Sequence, residues 1–251
     1  MTHFKHTLAL LACAVATTAA NAASVQITFD NPIFTGSGYD AVSITFANSS
    51  STRGSTTENV AAGRFQGTAS NLVDVTPEIF FEDVNNVFMY CYDIYQNINH
   101  GQSVDYQIYL NAATTRTLDF IGAVNSVLSP SNSYDPYAWL RNVTAAQGAA
   151  IQLGIWESKY DTTGWDLASG DFKATNLDSG TTSYLNQFTA AIDTTDAVNS
   201  RYVMVLKNDT YQDMIAGDPP SNDVPEPGTL ALMGVALAGF AASRRRKQPS
   251  A

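Results

Sequence analysis

Phe88-Met89-Tyr90-Cys91-Tyr92-Asp93 and Ala150-Ile151-Gln152-Leu153-Gly154-Ile155-Trp156-Glu157 stand about sixty residues apart, and the rest of the chain is organised around them. Val87 to Ile98 is rich in aromatic and β-branched residues, which predicts a strand carrying Cys91. A helix is expected from Val143 to about Tyr160, capped by Asn142, with Gln152 at its middle. Strand and helix set the expected fold class: α+β, β-rich with antiparallel, sandwich-like strands, and an inserted helical segment carrying Gln152.

Outward from these stretches the pattern alternates. Val25, Ile27 and Phe29 have period two, as do Val42, Ile44 and Phe46, so both are half-buried strands. Asn48 to Thr57 is Ser/Thr-rich and is expected as an exposed loop. Phe65 to Val75 and Ile79 to Phe81 are further strand candidates. Asn99-His100-Gly101 predicts a turn, and Val104 to Leu110 a strand pairing back as a hairpin. Leu118, Ile121, Val124, Val127 and Leu128 recur at helical spacing, ended by Ser129-Pro130. Asp161 to Gly180 is loop-like. Tyr184 to Ile192 predicts a third helix, and Tyr202 to Leu206 a closing strand.

The chain has 251 residues with 23 Asp+Glu against 13 Lys+Arg. Residues 23–223 hold 22 of those acids and only 8 of the cations. Such a surface repels nucleic acid, which excludes a nucleic-acid partner. Residues 1–22 carry Lys5, a short apolar core from Leu8 to Ala16 and Ala20-Asn21-Ala22, the pattern of a signal peptide cleaved after Ala22. Cys13 is lost with it, so the mature chain keeps Cys91 alone and cannot form an internal disulfide. Leu10-Leu11-Ala12-Cys13 also resembles a lipoprotein box, with too short an apolar core before it. One Cys and one His (His100) do not make a zinc site, and no EF-hand-type loop is present, so no metal or cofactor is expected.

Beyond a folded domain over 23–217, with its core at about 60–215, lies a linker over 218–228. An apolar helix is expected over 229–243 and a basic cytoplasmic tail over 244–251. Pro225-Glu226-Pro227, the apolar run and Arg244-Arg245-Arg246-Lys247 together resemble a PEP-CTERM sorting signal. That resemblance implies a membrane exosortase as processing partner, a transient inner-membrane anchor, and then the cell surface or extracellular matrix.

The central region resembles the thioester domain of Gram-positive surface adhesins. The shared features are aromatic-Cys-aromatic (Tyr90-Cys91-Tyr92) and, downstream, apolar-Gln-x-x-Ile-Trp (Ile151 to Trp156). Gly154 departs from the pattern, which favours a small residue with a β-carbon. The resemblance implies an internal thioester between the Cys91 sulfur and the Gln152 side-chain carbonyl. The chemistry stands independently: a thiol attacks a poor amide electrophile only when the fold holds the two at near-attack distance, a gain of about 7–11 kcal/mol. Tyr90, Tyr92, Phe88 and Trp156 are expected to exclude water, while Asp93, Glu157 and His100 are candidates for an oxyanion donor or proton carrier. The bland alternatives are a buried structural cysteine, a boundary glutamine and a core tryptophan.

Three functions compete. The first is a non-enzymatic surface protein attaching covalently to an amine or hydroxyl on a surface molecule or polysaccharide. The second is a structural component of an extracellular polysaccharide matrix. The third is a cysteine hydrolase using Cys91 and His100, which nine residues apart on one strand would face opposite sides.

Overall fold

The computed structural model describes residues 23–47, 55–129, 133–141 and 143–219. The expected signal peptide, the sorting motif, the apolar helix over 229–243 and the basic tail lie outside these residues. Nine strands and three helices follow in the order β1 (Ser24–Phe29), β2 (Tyr39–Ala47), β3 (Ser55–Gly63), β4 (Phe65–Val73), β5 (Val87–Cys91), β6 (Ser103–Leu110), α1 (Thr115–Leu128), α2 (Ala145–Tyr160), β7 (Phe172–Thr175), α3 (Ser179–Ala191), β8 (Val203–Lys207) and β9 (Met214–Gly217).

The strands do not form the expected sandwich. Six of them close into an antiparallel barrel, β1-β4-β5-β9-β8-β6, and the other three form a separate sheet, β3-β2-β7. Closure removes the barrel's edges, so the alternating faces of its strands become inside and outside. Val25, Ile27, Phe29, Met89, Tyr106 and Leu206 fill the interior. Tyr90, Val205 and Ile215 face outward into a second apolar cluster with Phe120, Trp139 and Ile155.

Helix α2 is the wall between the two clusters. Every residue from Gly148 to Ser158 is buried, so this helix lacks the polar face of a surface helix. Ala149, Leu153 and Trp156 belong to the barrel cluster, and Ala150, Ile151 and Ile155 to the other. Its start is fixed by Thr144 rather than by Asn142. The Thr144 hydroxyl accepts from Gln147 N–H, and the Gln147 side chain returns to Thr144 N–H.

Several local expectations are corrected. The strand expected to run to Ile98 ends at Cys91; Tyr92 N–H still donates to Asp213 O, and from Asp93 O and Ile94 N–H onward side chains of Trp156, Gln212 and Tyr160 take the backbone groups. β6 pairs with β1 and β8, not with β5, whose neighbours are β4 and β9. Pro77–Ile79 is one turn of 3₁₀ helix, with Pro77 opening it, where a strand over Ile79 to Phe81 was expected. Ser55 to Thr57 belong to β3 rather than to a loop, and 48–54 lie outside the described residues. The stretch expected as loop, Asp161 to Gly180, contains β7 and the first residues of α3.

Candidate functional site

Pleating sends alternate residues of β5 to opposite sides. Val87, Met89 and Cys91 lie in the barrel cluster, while Tyr90 and Tyr92 lie in the outer one. Strand β4 begins at Phe65, opposite Met89, and so stops short of Cys91. The Gln152 side chain fills the place that a further strand residue would take. Cys91 N–H donates to Gln152 Oε1 (2.8 Å), and Gln152 Nε2 donates to Cys91 O (2.8 Å). The amide imitates one peptide unit of a neighbouring strand, and both of its polar atoms are paired at zero exposure.

The packing of α2 explains the departure at Gly154. A β-carbon there would lie 1.9 Å from Phe120 Cζ. The Phe120 ring of α1 occupies the space, so glycine is required by tertiary contact despite its poor helix propensity. This close approach fixes the height and rotation of α2, and with them the position of Gln152.

The surroundings of the thiol are acidic and dry. Burial, and next the nearby Asp93 carboxylate, push the Cys91 thiol well above its usual range. Burial raises Asp93 to about 6, opposed by a hydrogen bond from Asp213 N–H. Lys159 is held below the usual lysine range by burial, although Asp93 and Asp213 oppose that shift. Its ammonium sits 4.1 Å from the Tyr92 ring centroid. The Asp93 carbonyl accepts from Trp156 Nε1 (3.1 Å) and Gln212 Nε2 (2.7 Å), which pins the chain just after Cys91.

A cavity of about 250 Å³ opens over this centre, lined among others by Cys91, Trp156, Gln212, His100 and Glu58. Of the four residues expected to exclude water, Trp156 lines this cavity. Tyr90 and Tyr92 guard the back of the strand instead. Tyr90 donates to Trp139 O (3.1 Å), and Tyr92 Oη accepts from Thr114 N–H (3.0 Å). Phe88 lies under the Arg64 guanidinium, 3.9 Å from its ring centroid. Glu157 serves a different place: its Oε1 accepts from Asp166 N–H (3.2 Å), and its Oε2 is buried without a partner. His100 shares the cavity with Cys91, since the strand ends between them. Its Nδ1, however, accepts from Ile33 N–H (2.9 Å). A neutral imidazole held this way keeps its proton on Nε2, so it presents a donor and not a base to the cavity.

The donor that faces Gln152 Oε1 is a backbone group, Cys91 N–H, which no side-chain pattern could have revealed. Gln212 and Asp213, in the β8–β9 connection, and Lys159 were also missed. Gln212 and Asp213 meet Asp93 through the pairing of β5 with β9, and Lys159 comes to it from helix α2; no local spacing announces them. Among the described residues no three His, Cys, Asp or Glu side chains form a metal-binding group. Among them, too, no helix is long and apolar enough to cross a membrane.

Residues 223–246 match the PEP-CTERM protein-sorting motif. The match spans Pro225-Glu226-Pro227 and Arg244 to Arg246, and leaves Lys247 just beyond it. This motif implies an exported protein, anchored transiently in the membrane and processed by an exosortase. No curated protein and no solved structure matches the chain.

Proposed function

We propose that this exported protein carries an internal thioester between Cys91 and Gln152, and that it uses this bond once to attach covalently to an amine or hydroxyl on a partner. The observation that carries the reading is the pair of 2.8 Å hydrogen bonds between the Gln152 amide and the Cys91 backbone. They hold the electrophile against the residue that bears the nucleophile. Cys91 N–H already points at Oε1, where negative charge develops during attack. The sulfur adds to the Gln152 side-chain carbonyl carbon, the C–N bond breaks, and the thiol proton leaves with the nitrogen as ammonia. Because an ionised Asp93 opposes a standing thiolate, proton removal accompanies attack; Asp93, whose charge acts on the Cys91 thiol, is the proton carrier in this reading. The burial of Cys91 and Gln152 keeps bulk water from the product. A bond spent once gives no turnover, so the protein is not an enzyme in this reading.

Purified protein treated with methylamine is expected to gain one methylamine at Gln152 and to release the Cys91 thiol in the same step. A second reading has its own support: the Gln152 amide is fully satisfied, as in a structural side chain that completes a strand. In that case the protein is a matrix component without reactive chemistry. Methylamine then leaves Gln152 unchanged, and Cys91 stays inert in the folded state.

A further inference from the structure

We infer that the cavity between the C-terminal half of α1 and the α3–β8 connection binds a neutral hexopyranose unit of an oligosaccharide, reversibly and independently of the Cys91–Gln152 centre. The cavity has a volume of about 450 Å³, within the roughly 300–1,000 Å³ of pockets that enclose small molecules. It shares no lining residue with the cavity over Cys91. The connection lies directly on α1. A β-carbon at Gly122 would come 2.2 Å from Asp196 O, and Val198 N–H donates to Leu118 O (3.0 Å). This close approach sets Asp196 and Asn199 in place before a ligand arrives, which lowers the ordering cost of binding.

The polar groups of the lining are unspent. Among the described residues the Asp196 carboxylate and the Ser126 and Tyr134 hydroxyls have no hydrogen-bond partner. Asn199 Oδ1 accepts from Arg201 N–H (3.1 Å), which leaves Asn199 Nδ2 to donate. The Tyr134 ring is 56% exposed, and Tyr202 beside it is half-buried, in edge contact with Tyr137. These features select the ligand. No Lys, Arg or His lines the cavity, so nothing in the lining offsets an anion, and Asp196 repels one. One carboxylate is too few ligands for a divalent cation. An acyl chain would leave the carboxylate, amide and hydroxyls without partners. A proline-rich segment can stack on tyrosines, but proline has no N–H to give Asp196. A pyranose ring meets every demand. Its C–H face covers a tyrosine ring, its hydroxyls donate to the Asp196 carboxylate, and a hydroxyl oxygen accepts from Asn199 Nδ2.

The test probes the purified protein with an array of neutral and acidic oligosaccharides, and with decaproline as the peptide probe. Neutral oligosaccharides are expected to bind. Tyr134→Ala and Asp196→Ala are each expected to weaken that binding by about tenfold, with an unchanged urea midpoint. Both side chains are exposed, so neither variant is expected to lose its fold. Asp193→Ala, an exposed acid outside the cavity lining, is expected to bind as the wild type does. Array positions that carry polysaccharide fragments and positions that carry protein N-glycans tell the two sources of the sugar apart. Binding of no neutral oligosaccharide overturns the proposal, and so does neutral binding that is equal in the wild type and both variants. Binding of acidic oligosaccharides alone, or of decaproline alone with loss in Tyr134→Ala, assigns the cavity to another ligand class and also overturns it.

Discussion

Gln152 and Glu157 lie little more than one turn apart on the same buried helix, and their polar atoms meet opposite fates. The Gln152 amide uses one N–H and its carbonyl oxygen to pair the two backbone groups that Cys91 presents. The Glu157 carboxyl is pushed up to about 7, first by burial and next by Asp161, and its Oε2 has no partner. Asp161 is committed elsewhere: its Oδ1 accepts from Asp171 and Phe172 N–H. Gly170 sits so close that a β-carbon there would lie 2.2 Å from Asp161 Oδ2. Glu157 therefore ties down a loop through Oε1, which accepts from Asp166 N–H, whereas Gln152 completes a strand with no charge at stake.

The comparison breaks first at Gln152. Gln152→Ala strands two buried backbone groups of Cys91 and is expected to cost about 2–6 kcal/mol in denaturant unfolding. A loss below about 1 kcal/mol would mean that water replaces the amide without penalty. Next in size is Gly154→Ala, which drives a β-carbon into Phe120. About 1–3 kcal/mol or more of destabilisation is expected, although alanine is the better helix former. The double variant Gly154→Ala, Phe120→Leu should recover part of that loss, because it removes the ring that the methyl meets.

The Glu157 side of the comparison is sharpened by pH. A carboxyl raised by folding binds its proton more tightly in the native state, so its contribution is full below about pH 4.3 and is lost as pH rises through about 7. Asp93 and Asp218, each raised to about 6, add the same slope at lower pH. Glu157→Gln is expected to flatten the decline in stability between about pH 4.3 and 7, measured by urea unfolding at each pH. An unchanged decline would place the retained proton elsewhere. The smallest effect is at the helix start: Thr144→Ala removes a capping-box hydroxyl and should cost about 1 kcal/mol.

The chain announced its regular pieces where one face is apolar and the other polar. β1, β2, β6 and α1 follow their patterns because each has an inside and an outside. β3 was missed because its first five residues, Ser55 to Asn59, are all polar, so nothing in them alternates. β7 is four residues long, and α3 opens on Ser-Gly-Thr-Thr, a sequence with weak helix preference. The meeting of Cys91 and Gln152 was legible through the flanking aromatic and apolar residues. The backbone donor was not, because side-chain patterns do not encode it; nor were Gln212 and Asp213, which reach Asp93 through the β5–β9 pairing, or Lys159, which reaches it from α2. The glycine that looked like a weakness proved to be the position where the Phe120 ring of α1 packs onto α2.

The thioester is tested most directly by the intact mass of freshly purified native protein, set against the sequence of its processed chain. The account predicts a mass lower by one ammonia, with the full mass restored in both Cys91→Ala and Gln152→Ala. Full calculated mass in the native protein near neutral pH would contradict it and leave Gln152 as a structural partner of the Cys91 backbone.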